Sequence, residues 1–119
     1  MDHKLKLMVV DDSPLFRTWL IRSLSADDRF QIVGYAVNAL DAQEKIPLLQ
    51  PDMLTLDIEM PGMSGIDFLK QLLPVHPIPV ILVSSLNLRV FDALEAGAVD
   101  FVRKPDETNG LSKEIFLST

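Results

Sequence analysis

Cysteine is absent from these 119 residues, which excludes disulfides and thiolate metal sites. No apolar run approaches the ~18 residues that a membrane-spanning helix needs. The opening Met1-Asp2-His3-Lys4 carries no apolar stretch of the signal-peptide kind, so the cytoplasm is the expected location. Positive charge is scarce: 11 Lys and Arg face 17 Asp and Glu, for a net −6. The basic residues form no cluster, and phosphate contacts require one, so direct nucleic-acid binding is not expected. Repeats and low-complexity stretches are missing too.

What is present suits one folded domain. At 48% hydrophobic, the chain can build a core of its own. Five short apolar runs stand out: 5–10 (LKLMVV), 30–37 (FQIVGYAV), 53–56 (MLTL), 78–83 (IPVILV) and 99–102 (VDFV). Four are nearly continuous in apolar character, the pattern of strands covered on both faces. Helical patterns lie between them. Ser13 is a suitable N-cap with Pro14 at the first helical position, and Leu15, Trp19, Leu20 and Leu24 follow as the inward face. Asn38 caps a second pattern with Ala39, Ala42, Ile46 and Leu49, in which Pro47 should kink or end the helix. Ser64 and Asp67 form a capping box for a third, with Ile66, Leu69 and Leu73 inward. Asn87 opens a fourth with Val90, Phe91 and Leu94, stopped by Gly97. Ser112 caps a short fifth, with Leu111 against Phe116.

This alternation predicts a three-layer α/β/α sandwich around a five-stranded parallel sheet with right-handed crossovers. Ligands of such sheets sit beyond the carboxyl ends of the strands, where strand order reverses. Each apolar run ends there in something polar. Asp11 and Asp12 follow the first run, Asp57 the third, Ser84 the fourth and Lys104 the fifth. Taken singly, an acid at a strand end is an ordinary turn residue. Together, on one rim, three carboxylates repel one another unless a cation sits among them. Mg²⁺ suits such a set, being a hard ion with oxygen ligands and open positions for water or phosphate. Asp12 and Asp57 would hold it directly, Asp11 through water, and the Glu59 backbone carbonyl could complete the shell. Asp57 stands alone at its strand end and is the best candidate for a nucleophile toward phosphorus. Lys104 would reach one phosphoryl oxygen and Ser84 another. The Gly62-Met63-Ser64-Gly65 stretch places its second glycine one residue too early for a nucleophile elbow, so Ser64 reads as a helix cap.

The stretches VVDDSPLFR, LDIEMPGMSGIDFL, VILVSS and AGAVDFVRKP resemble the receiver domain of bacterial response regulators, over about residues 5–105. TLDIEMPGMSGIDFL, VSSL and GAVDFVRKP are most similar to receivers of the chemotaxis protein-glutamate methylesterases. The resemblance implies the CheY-like, flavodoxin-like strand order 2-1-3-4-5. It implies that a chemotaxis-type histidine kinase phosphorylates Asp57 with Mg²⁺, and that Lys104 contacts the phosphoryl group. It further implies a switch pair of Ser84 and Phe101, a cis bond before Pro105, and a phosphorylation-dependent dimer as one possible assembly. In those methylesterases the receiver controls a C-terminal esterase domain; here no G-x-S-x-G motif is present. The whole of 1–119, with a core about 5–117, is therefore expected to be the receiver alone, cut from a longer protein, with its output domain outside the chain. The alternatives are a stand-alone receiver or one serving another output, such as DNA binding. More remote are a Mg²⁺-dependent phosphohydrolase and a flavin-binding protein. A hydrolase of that kind carries its acid pair after the first strand, and flavin phosphate would be repelled by Asp11 and Asp12. The stretch from Ser85 to Gly97 is about one helical turn shorter than usual for the subfamily, so a short fourth helix is expected.

Overall fold

A computed structural model describes residues 4–84 and 90–104. Strands β1 (Leu5–Val10), β2 (Phe30–Ala36), β3 (Met53–Asp57), β4 (Val80–Ser84) and β5 (Asp100–Arg103) alternate with helices α1 (Pro14–Ser25), α2 (Ala39–Leu49), α3 (Gly65–Leu72) and α4 (Val90–Glu95). All strand pairings are parallel, and the sheet order is β2-β1-β3-β4-β5. The expected architecture and strand order are therefore present.

The layers follow from the two-residue period of a strand, which sends successive side chains to opposite faces. Along β1, Leu7 and Val9 join Leu20 and the partly buried Phe16, Trp19 and Leu24 of α1 on one face. Met8 and Val10 face the other way, into a larger cluster with Ala42 and Ile46 of α2, Ile66 and Leu69 of α3, and Leu54, Leu56, Val80 and Leu82 of the central strands. β1, β3 and β4 are buried almost throughout, and their pairing puts Asp57 opposite Val83 in the middle of the sheet. The β1–β2 ladder shifts register between Leu7 and Met8, which pair with Ile32 and Gly34 and leave Val33 as an extra residue in β2.

Helix starts are set by side chains. Ser13 accepts the Phe16 N–H, Asn38 the Asp41 N–H, and Ser64 the Asp67 N–H. Each satisfies a donor that the first helical turn leaves without a partner, typically about 1 kcal/mol of stability per cap. Gly97 closes α4 at φ 106°, its N–H donating to the Leu94 carbonyl; a side chain there would be strained.

Three local expectations change. Leu15 is 68% exposed; Phe16 takes the inward place, one residue on. Leu94 is 49% exposed rather than packed inward. Pro47 does not stop α2 at once: its missing N–H costs only the bond to Gln43, and the helix runs on to Leu49 before Gln50 turns left-handed at φ 49°. The cap at Asn87, the inward side chains of Val90 and Phe91, the bond to Pro105 and the fifth helix fall outside the described residues and side chains.

Candidate functional site

The carboxyl ends of β1, β3, β4 and β5 meet at one rim. Asp57 is the last residue of β3 and is 1% exposed. The next residue, Ile58, is held from both sides: its N–H donates to the Val83 carbonyl at 2.9 Å, and its carbonyl accepts from Gly65 N–H at 2.9 Å. Only glycine fits at position 65. A Cβ there would lie 2.2 Å from the Asp57 carbonyl oxygen, so α3 starts directly against the backbone of the acid.

Asp11, just past β1, is equally buried at 2% exposure. Ser13 N–H donates to its Oδ1 at 2.8 Å, and the Arg17 guanidinium donates to its carbonyl oxygen at 2.8 Å. Asp12 is exposed beside it. Carboxylate oxygens of Asp11, Asp12 and Asp57 all lie within 4.8 Å of one another. Lys104 reaches in from the end of β5. Its Nζ stands 3.1 Å from Asp11 Oδ2 and 3.4 Å from Asp57 Oδ2, and lies 4.5 Å from the centre of the Phe16 ring. Its backbone N–H donates to the Ser84 carbonyl at 2.6 Å, which fixes the end of β5 to the end of β4.

This crowding has a cost. Burial, and then the charge of Asp11, push the Asp57 carboxyl up to about 8, with Lys104 opposing. Burial also raises Asp11, offset by the Ser13 N–H and Lys104. Asp57 Oδ2 is buried and accepts no hydrogen bond, although Lys104 is within ion-pair reach. A buried oxygen without a hydrogen bond, among three carboxylates at metal-ligand spacing, fits a hard divalent cation with oxygen ligands.

Of the residues singled out in the sequence, Asp11, Asp12, Asp57 and Lys104 converge. Ser84 is fully buried one residue beyond Val83, the partner of Asp57, and its hydroxyl donates to Glu59 Oε2 at 2.5 Å. Phe101 pairs with Leu82 and lies half-buried against the larger core, below the rim. Pro105 is outside the described residues. Sequence reasoning missed Phe16 as the aromatic floor under Lys104, Arg17 as a clamp on the Asp11 backbone, and the carboxylate of Glu59 as the partner of Ser84. An aromatic two residues after Pro14, on the helix that starts at the rim, was the available signal for Phe16.

A doubly wound parallel sheet with this acid-and-lysine rim defines a receiver-type α/β domain. The chain belongs to the response regulator receiver domain family, whose model matches residues 7–116. It is 48% identical over 116 residues to a protein-glutamate methylesterase/protein-glutamine glutaminase of Syntrophomonas wolfei, covering 98% of this chain and 34% of that protein. The chain thus spans about a third of that curated relative. The response regulator domain of Thermotoga maritima CheB superposes with a TM-score of 0.84 at 33% identity, covering 98% of both chains. A CheX–CheY complex of Borrelia burgdorferi with BeF3 and Mg²⁺ contains a chain of TM-score 0.78 and 28% identity, covering 93% of this chain and 86% of that one. Among the described residues no helix is long and apolar enough to cross a membrane.

Proposed function

We propose that this domain is the phosphoacceptor of a chemotaxis-type two-component system. A histidine kinase supplies the phosphoryl group, Asp57 receives it, and the phosphorylated domain controls a methylesterase-type output domain lying C-terminal to it. The observation that carries this reading is the pairing of Asp57, buried at the centre of the rim, with Lys104 within 3.4 Å and two further acids at metal-ligand spacing. The Syntrophomonas relative, about three times as long, supports the output domain, and the Borrelia structure with Mg²⁺ and a beryllium fluoride supports the ion.

In this mechanism Asp12 and Asp57 would hold Mg²⁺ directly, Asp11 would act through water, and the Glu59 carbonyl would complete the protein's share of ligands. Bound there, the ion offsets the charge of the incoming phosphoryl group and keeps Asp57 ionised. An oxygen of the Asp57 carboxylate attacks phosphorus, the P–N bond to the donor imidazole breaks, and the imidazole leaves with its electron pair and takes up a proton. Phe16 and Asp11 hold Lys104 where it meets one phosphoryl oxygen as a point charge. Ser84 donates to another oxygen, and Phe101 follows it as the second half of the switch. The domain works in the cytoplasm and dimerises after phosphorylation.

Incubation with acetyl phosphate and Mg²⁺ tests the assignment. Intact-protein mass should rise by one phosphoryl group in the wild type and stay unchanged in Asp57→Asn. Rapid turnover of varied phosphomonoesters with no acyl phosphate would point instead to a hydrolase.

A further inference from the structure

We propose that Glu59 is a positioning residue that latches Ser84 in the unphosphorylated protein, so that the phosphoryl group must win the Ser84 proton from a carboxylate before the domain can switch. The inference rests on the phosphoacceptor reading above and adds an opposing partner to it.

A serine hydroxyl has a single proton to donate. Here that proton goes to Glu59 Oε2 at 2.5 Å, within the short range of a bond to an ionised acceptor. Such bonds are roughly twice as strong as neutral ones. Glu59 occupies an exposed position, yet its carboxylate reaches a serine that is fully buried. The loop geometry makes this possible. Glu59 N–H donates to Asp57 Oδ1 at 3.2 Å, which turns the residue over the rim and aims it toward the end of β4. The carboxylate also adds negative charge beside Asp57.

A phosphoryl group on Asp57 brings about −1.5 to −2 charge and three strong acceptor oxygens to the same corner. It competes with Glu59 for the one Ser84 proton and repels the Glu59 carboxylate. The outcome is two-state at the level of a single hydroxyl. Held by Glu59, Ser84 stays in its resting position. Released, it moves to the phosphoryl oxygen and draws the end of β4 with it. Glu59 therefore sets the threshold for switching while making no contact with the transferred group itself.

The test is a double-mutant cycle on the full chain: wild type, Glu59→Ala, Ser84→Ala and the double variant. Each is titrated calorimetrically with beryllofluoride at saturating Mg²⁺. The latch predicts that Glu59→Ala tightens beryllofluoride binding about tenfold more when Ser84 is present than when it is Ala, the size expected for losing one charge-assisted bond in the free state. An equal gain in both backgrounds would mean that Glu59 acts only through its charge, and no gain would mean that it does not oppose binding; either overturns the latch. Glu59→Gln, which keeps an acceptor but not the charge, should give a smaller gain. The same four proteins, melted without ligand, must show non-additive shifts, and additive ones also overturn the latch. If wild type failed to bind beryllofluoride at all, the phosphoacceptor reading would fall, and the ligand-free melts would still decide the latch.

Discussion

Replacing Asp57 by Asn should make the metal-free protein more stable at neutral pH. The unfolded carboxyl titrates near 3.8, whereas burial and Asp11 push the folded one up to about 8. Between those values the native state binds more protons than the unfolded chain, so stability falls as pH rises through this window. Below it both states are protonated and the penalty is absent; above it both are ionised and the penalty is constant. At pH 7 the native state has lost about three pH units' worth of stability at ~1.4 kcal/mol each, or about 4 kcal/mol. Asn has nearly the shape of Asp and no proton to release. The opposing attraction of Lys104, 3.4 Å away, is already contained in that figure. A net stabilisation of about 2–4 kcal/mol follows, raising the melting temperature by roughly 10 °C for a domain of this size. Circular dichroism melts in chelator check it. The advantage of Asp57→Asn should shrink to about 1 kcal/mol near pH 4.5, in step with the 3.8 of the unfolded acid. Added Mg²⁺ should raise the wild-type melting temperature and move the variant little, since binding to the folded state alone stabilises it by mass action. An Asp57→Asn protein that melts at or below wild type in chelator at pH 7, or an advantage equal at both pH values, would refute the electrostatic account of the rim.

Lys104→Ala should act in the opposite direction. It leaves Asp11 buried without its cation, and at pH 7 should cost about 1–3 kcal/mol in thermal melts, a loss that fades at acid pH as Asp11 takes up its proton. Gly65→Ala should lower the melting temperature by more than about 5 °C, because its Cβ would lie 2.2 Å from a backbone oxygen that cannot step aside. The same variant should slow labelling by acetyl phosphate, read by mass, since the clash falls on the residue that is labelled.

Much of this was legible in the residues. The strands showed because β1, β3 and β4 are covered on both faces and so are written as apolar runs that stop at a polar residue, which also marked Asp11, Asp57 and Ser84. Helix starts showed because capping is local: Ser13, Asn38 and Ser64 each bond an amide three residues on. Facing was less legible where the pattern was ambiguous. α1 has apolar residues at both 15 and 16, and only the position of the helix against β1 decides that Phe16 goes in and Leu15 out. Pro47 looked like a stop but sits where a single missing bond is tolerable near the end of α2. The Glu59–Ser84 bond joins positions 25 residues apart through side-chain rotamers, which no periodicity encodes.

The extra residue in β2 matters beyond the β1–β2 ladder. A sheet invites further strands at its two open sides, and a flat side is a template for sticking to another copy. On this side Val33 breaks the regular spacing, and Lys45 donates to the Tyr35 carbonyl at 2.8 Å, occupying an acceptor that an intruding strand would use. The opposite side, β5, is only four residues long and begins and ends in charge, Asp100 and Arg103. Among the described residues both borders are thus blunted, which favours helix faces and side chains over backbone continuity for any association between copies. Such contacts can be made and undone without disturbing the sheet that holds the site.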